Sequence, residues 1–198
     1  MNKLILTLFG VLLINHLAVA NEIHKVDLDN SELTWEGRKV TGAHHGTINI
    51  KDGSLEVVNG ELRGGEFIVD MRSITNLDLE DETWNKKLVD HLKSDDFFSV
   101  EKFPVARFEL TDIKSYKDSD SDANHLIVGD LTIKDITNSI EFPAVVNVED
   151  SVISASAKIQ VDRSKYDMRF RSGSFFENLG DKLIYDNFTI GVKLTATK

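Results

Sequence analysis

Downstream of Ser154, the residues Ala155, Ala157, Ile159 and Val161 alternate with Ser156, Lys158, Gln160 and Asp162, and Phe188, Ile190, Val192, Leu194 and Ala196 repeat the pattern near the C-terminus. A two-residue period places apolar side chains on one face of a strand and polar ones on the other, so each such strand is half buried. Weaker versions run through Leu33/Trp35, Ile48/Ile50, Phe67/Val69/Met71, Ala106/Phe108/Leu110, Leu126/Val128 and Phe142/Ala144/Val146/Val148. Turn chemistry at Asp52-Gly53, Asn59-Gly60, residues 135–138 and Glu149-Asp150 separates the runs, and Pro104 and Pro143 each open one. Eight or more strands joined by short turns predict an antiparallel sheet, and closure into a barrel leaves no edge exposed. The expected fold is therefore all-β, an eight-stranded antiparallel barrel.

One stretch has another period. Trp84, Leu88 and Leu92, with Val89 beside them, recur at helical spacing. They predict a single α-helix over residues 79–93, capped by Asp78, that closes one end of the barrel. Residues 117–124, rich in Asp and Ser, read as a solvated hairpin tip. With no internal repeat and no linker, residues 21–198 form one domain.

Residues 1–20 have the make-up of an exported leader. Lys3 is the only charge, an apolar run follows from Leu4 to Ile14, and Ala18-Val19-Ala20 supplies small residues at the two positions that a signal peptidase reads. Cleavage after Ala20 is expected, leaving a soluble periplasmic domain. Its 22 bases and 33 acids give a net charge of −11, which repels phosphate backbones and makes nucleic acid an unsuitable partner. The chain has no cysteine, so disulfides, thiolate nucleophiles, Cys-ligated zinc and a lipid-modified N-terminal cysteine are excluded.

Motifs for phosphate loops, dinucleotide binding, Gly-x-Ser-x-Gly and His-Glu-x-x-His are missing, so no cofactor and no catalytic set is assigned. Asp118, Asp120 and Asp122 imitate a calcium loop, but Ala123 and Gly129 stand where such a loop needs glycine and glutamate. His44 and His45 are adjacent on a strand and point to opposite faces, so they cannot share one metal, and no metal site is assigned. The phenylalanines speak more clearly. Phe97, Phe98 and Phe103 follow the helix, and Phe170, Phe175 and Phe176 lie in a Gly/Ser-rich stretch. They serve either an ordinary core or the lining of a ligand cavity at the barrel mouth. Small residues on the inward faces (Ala106, Ala144, Ala155, Ala157, Gly129) favour open space, since a barrel of this size either fills itself or holds one small ligand. For Arg163, Arg169 and Arg171 two readings stand: Arg163 and Arg169 pair with Asp162 and Asp167 as structural bridges, or the three form a collar for a ligand headgroup.

Several blocks in order resemble the YceI-like family of lipocalin-like, polyisoprenoid-binding secreted bacterial proteins. They are residues 34–48 (Thr-Trp-Glu-Gly-Arg-Lys-Val-Thr-Gly-Ala-His-His-Gly-Thr-Ile), 91–98, 102–108, 129–134, 142–144 and 172–182. Asp167 and Arg171 depart from the pattern, standing where relatives often have glycine. The resemblance implies an extended, lipocalin-like barrel around a long apolar cavity for an isoprenoid or other amphiphilic lipid. On this reading Trp35, Phe67, Val69, Phe97, Phe98, Phe103, Phe108, Leu110, Leu131, Phe142, Ala157, Ile159, Phe170, Phe175 and Phe176 line the cavity. His44, Arg163, Arg169, Arg171 and Ser172 meet the headgroup. Two other readings stand beside this one: an enzyme acting on a lipid or envelope precursor, with His44 and Asp70 or Asp162 as its acid–base pair, and an interaction module for a membrane redox or stress system. Whether the protein is a monomer or a homodimer is left open.

Overall fold

The computed structural model describes residues 21–149 and 151–198. The expected leader, and Asp150 of the Glu149-Asp150 turn, lie outside the described residues. Nine strands follow in order: β1 (Asn21–Val26), β2 (Glu32–Lys39), β3 (Gly42–Val58), β4 (Glu61–Asp70), β5 (Val105–Ser115), β6 (His125–Ile133), β7 (Ile136–Glu149), β8 (Val152–Asp162) and β9 (Asn187–Thr197). One helix, α1 (Glu82–Lys93), lies between β4 and β5. All pairings are antiparallel, and the contact of β3 with β4 closes the sheet on itself.

The nine strands occupy eight positions, because β1 and β2 are one interrupted strand. Both lie between β3 and β9, with β1 on the Ser54–Val58 half of β3 and β2 on the Gly42–Ile48 half. The interruption is stitched locally. The Asp27 carboxylate accepts the N–H groups of Asp29 and Asn30, and Ser31 Oγ donates to Thr195 O and accepts from Thr195 N.

Two-residue turns with positive φ connect β3 to β4 (Asn59 54°, Gly60 81°) and β6 to β7 (Lys134 53°, Asp135 57°). Such turns match the right-handed twist of the strands they join. Two of the expected breaks are not turns. Asp52-Gly53 sits inside β3 at a bulge between Ile50 and Asp52, where the bare Gly53 leaves room for Val26 and Phe67. A bulge bends a 17-residue strand around the barrel without ending it. Pro143 is likewise within β7. Ala144 O accepts from Asn124 N on the β6 side, so Pro143 turns its missing N–H toward β8, and the β7–β8 ladder begins only at Ala144.

The helix starts at Glu82, three residues later than the expected 79. Its cap is Asp81, which accepts from Thr83 N and Trp84 N at 3.0 Å, and not Asp78. Leu88, Val89 and Leu92 pack on the barrel end, whereas Trp84 is 61% exposed beneath the Lys87 ammonium. The buried apolar residues form two clusters, one around Leu55, Val57, Ile153 and Ala196 and one around Met71, Val100, Tyr166 and Met168. Partly buried side chains, Phe67, Phe108, Ala157 and Ile159 among them, pack against these clusters around an interior that is not solid.

Candidate functional site

The barrel encloses a cavity of about 310 Å³ whose wall is almost wholly hydrocarbon. Every stave contributes. The inward positions of β3 to β9 supply Ile48, Leu55, Phe67, Val69, Ala106, Phe108, Leu110, Leu131, Ile140, Phe142, Ala144, Ala155, Ala157, Ile159, Ile190 and Val192, and Leu33 and Trp35 come from β2. Phe67, Phe108 and Phe142 form an aromatic shelf, with ring centres 6.3 and 5.7 Å from that of Phe108. Phe108 can lie flat because its cross-strand neighbour two residues along is Gly129, where a Cβ would overlap the ring and Glu109 O. Ala144, Ala155 and Ala157 on β7 and β8 leave the space itself.

Leu88, Leu92, Phe97 and Phe98, from α1 and the turn after it, cover one end. Most polar residues of the lining sit at this same end: Arg38 and Lys39 at the tip of β2, His44 at the start of β3, Arg163 after β8 and Tyr185 before β9, with Ser156 midway along β8 as the exception. Arg38 and Tyr185 are held together by the bond from Tyr185 N to Arg38 O. Trp35 fixes the adjoining wall: its Nε1 donates to Thr75 O at 2.9 Å across Gly46, which has no Cβ to obstruct it.

His44 is oriented by Asp78, with Nδ1 2.7 Å from Asp78 Oδ2. Asp78 also accepts from His45 N and from Asn76 Nδ2. Burial raises the Asp78 carboxyl, but the bonds from the His45 backbone, His44 and Asn76 outweigh it and hold the group at about 2. The carboxylate therefore keeps Nδ1 protonated and leaves Nε2 of His44 as the group free to meet a ligand. A carboxyl lowered on folding stabilises the protein above its unfolded value, near 4, and loses that contribution as pH falls toward 2. Asp78→Asn should accordingly cost about 1–2 kcal/mol at pH 7 and almost nothing at pH 2. Urea denaturation at the two pH values checks this.

Of the residues assigned to the cavity from sequence, the structure brings Trp35, Phe67, Val69, Phe97, Phe98, Phe108, Leu110, Leu131, Phe142, Ala157 and Ile159 together around it. Phe103, Phe170, Phe175 and Phe176 lie outside the lining. Phe170 packs edge-on against His91, with ring centres 4.6 Å apart, and beside Phe97, while Phe175 and Phe176 are 41% and 50% exposed.

Among the headgroup residues, His44 is at the mouth, and Arg163 borders the cavity at the same end but is tied up as a structural post. Its guanidinium donates to the carbonyls of Met168, Phe170, Ile184 and Tyr185, and Nη2 lies 3.2 Å from Asp186 Oδ1 in an ion pair that is not also a hydrogen bond. The Asp162 carboxylate, its partner on the structural alternative, accepts from Ser164 N and Oγ instead. Ser172 is fully buried and accepts from Ser174 N, away from the cavity. Arg169 pairs with Asp167, the structural alternative to its headgroup assignment, and Arg171 lies over Phe170; both face outward and neither lines the cavity.

Asp70 and Asp162 are not partners of His44. Asp70 caps the 3-10 turn at Met71–Ser73, and Asp78 takes the place beside the histidine. Arg38, Lys39 and Tyr185 were given no site role from the sequence, and Asp78 was read there only as the helix cap. His24 carried no signal either, yet it is buried at the opposite end of the barrel with neither ring nitrogen partnered. The two departures from the family pattern have a backbone consequence: Asp167 and Arg171 adopt φ of 55° and 49°, a region that glycine enters freely and other residues enter at a cost.

A family model described as YceI-like domain matches residues 24–196. The chain belongs to the YceI-like domain family. A curated UPF0312 protein of Pseudomonas putida is 29% identical over 107 residues, covering 53% of this chain and 50% of that one. The chain thus matches about half the length of this curated relative. Two solved structures share the fold. Burkholderia cenocepacia BcnA has a TM-score of 0.65 at 19% identity, over 87% of this chain and 99% of that one. A polyisoprenoid binding domain from Saccharophagus degradans, implicated in plant cell wall breakdown, has a TM-score of 0.60 at 12% identity, over 88% and 97%. At those identities the likeness establishes the YceI-like barrel and nothing finer.

Proposed function

We propose that the protein binds a long-chain amphiphilic lipid, an isoprenoid or similar molecule, and carries it in the periplasm. The observation that carries the reading is a closed barrel around a hydrocarbon-lined cavity, most of whose polar residues gather at one end. An alkyl chain gains about 0.8 kcal/mol per buried CH₂, so ten methylenes supply roughly 8 kcal/mol before the cost of association. Tail burial sets affinity. A charge-assisted contact from Arg38, Lys39 or His44 adds on the order of 1–3 kcal/mol and selects the head. The solved polyisoprenoid binding domain with the same fold is consistent with this ligand class.

The His44–Asp78 pair acts here as an oriented hydrogen-bonding group for the head, a binding role and not a catalytic one. Native mass spectrometry of the purified protein should show a co-purified apolar ligand that organic extraction removes. If extraction yields nothing, and the emptied protein takes up no alkyl probe, the reading fails.

A further inference from the structure

The cavity stops at one level of the barrel. On β3, β8 and β9 the last side chains to border it are Leu55, Ala155 and Leu194. The next inward positions, Val57, Ile153 and Ala196, are 1%, 0% and 0% exposed and do not border it. Ala155 pairs with Leu194 and Ile153 with Ala196, so the last open level and the floor are successive layers across the same staves. On β1, His24 faces Leu55 across the ladder and is 1% exposed without bordering the cavity, so that stave is filled as well. A tail entering from the polar mouth meets a solid floor, because side chains at core density leave no passage for an alkyl chain.

The distance from floor to mouth sets a length. On β8 the border of the cavity runs from Ala155 to Arg163, eight residues on. At about 3.3 Å per residue and a strand tilt of about 40°, that is roughly 20 Å along the barrel axis. A saturated chain with C–C bonds of about 1.5 Å advances about 1.25 Å per carbon, so roughly 16 carbons span the cavity when fully extended. Volume gives the lower figure: at about 30 Å³ for each methylene-sized group, 310 Å³ holds about ten. Spread over roughly 20 Å, the same volume is a cross-section of about 16 Å², against about 24 Å² for one chain of those dimensions, so two tails cannot lie side by side.

Taking the cavity as the cargo site, we infer that it is a ruler for a single tail of about 10–16 carbons, stopped by Val57, Ile153 and Ala196, and that it rejects two-tailed lipids. Carbons beyond that length stay outside the mouth in water, where they add nothing to affinity. A fatty chain or a short prenyl chain fits, and a long polyprenyl chain does not. Two neighbouring positions on β8 set the stop: Ala155 borders the last open level, and Ile153 plugs the one beneath.

Displacement of a fluorescent fatty acid from the full chain tests it, with alkylphosphocholines of about 8 to 18 carbons as competitors, each below its micelle concentration. Kd should fall about fourfold per added carbon up to a break between about 10 and 16 carbons, and stay level beyond it. Ala155→Leu fills the last open level and should bring the break about three carbons earlier; Ile153→Ala opens the floor and should delay it by about three. Neither should change the slope before the break. Ala155→Leu makes no hole, so it reads the ruler even where Ile153→Ala does not fold. Diheptanoylphosphatidylcholine should bind no more tightly than the shortest single-chain competitor, since only one of its tails can enter. A fall that continues unbroken to the longest chain, a break left in place by Ala155→Leu or by folded Ile153→Ala, or two-tailed binding as tight as that of a single chain of the same total carbon number overturns the ruler and leaves the cargo reading standing. Protein that takes up neither the fluorescent fatty acid nor any competitor overturns the cargo reading, and the ruler with it.

Discussion

Replacing Arg163 with methionine should destabilise the protein by about 3–5 kcal/mol, the cost of breaking a buried charged network from one side. Methionine keeps much of the apolar volume but donates to nothing. The carbonyls of Met168, Phe170, Ile184 and Tyr185 would lose their donor, and Asp186 would lose its ion partner. Burial already works against the Arg163 charge, with Asp186 and Asp162 favouring it, so the guanidinium is retained for its five-donor fork and not for charge alone. Lysine, with one ammonium, cannot reach four carbonyls on two segments and should recover little. For a domain of this size the loss corresponds to a fall in Tm of roughly 6–20 °C. Urea denaturation and calorimetry of the two variants measure it. A loss under about 1 kcal/mol would show that water substitutes for the guanidinium and that the post is dispensable.

The second large effect is on binding. Ala157→Trp is expected to abolish uptake of an alkyl probe while leaving the strand spectrum intact. Ala157 faces the cavity between Ala144 on β7 and Val192 on β9. An indole there occupies space the ligand needs, and a tail denied room for four methylenes loses about 3 kcal/mol, roughly a hundredfold in Kd. Ser154→Trp, on the outer face of the same strand, is the control that adds the same bulk with uptake kept. Phe108→Asp attacks the aromatic shelf and should also abolish uptake, since a carboxylate cannot be buried unpaired against hydrocarbon. Uptake unchanged in Ala157→Trp would mean that the ligand sits elsewhere.

How much of this was legible without coordinates depends on the range of the interactions involved. The staves were: the alternation in β8 and β9 places Ala155, Ala157, Ile159, Phe188 and Ile190 correctly, because side-chain facing follows from the period of an extended chain and from nothing more distant. The Asn59-Gly60 turn was legible for the same reason, since it depends on the φ of two adjacent residues. Asp52-Gly53 misleads because Asp-Gly favours both a turn and a bulge, and only the continuing β4 partner decides which. The aromatic lining was half right. Phe67 and Phe108, on strands, face where the period puts them, whereas Phe170, Phe175 and Phe176 sit on a loop with no period to read.

The arginines show the limit most plainly. Arg163, Arg169 and Arg171 are near neighbours in sequence with similar company, yet one is buried under four carbonyls and two stand in solvent. Arg38 and Lys39, unremarkable at a strand end, reach the mouth because β2 continues past its ladder with β9 and joins residues 183–185.

The amino-acid sequence determined, through local periodicity and turn chemistry, that the chain is a closed antiparallel barrel with one covering helix and small residues inside. Only the tertiary structure decided which polar groups ring the opening, which cation serves as an internal post, and which aromatics are left to water. Those outcomes depend on staves and loops distant in sequence meeting once the barrel closes, and no local pattern encodes such meetings.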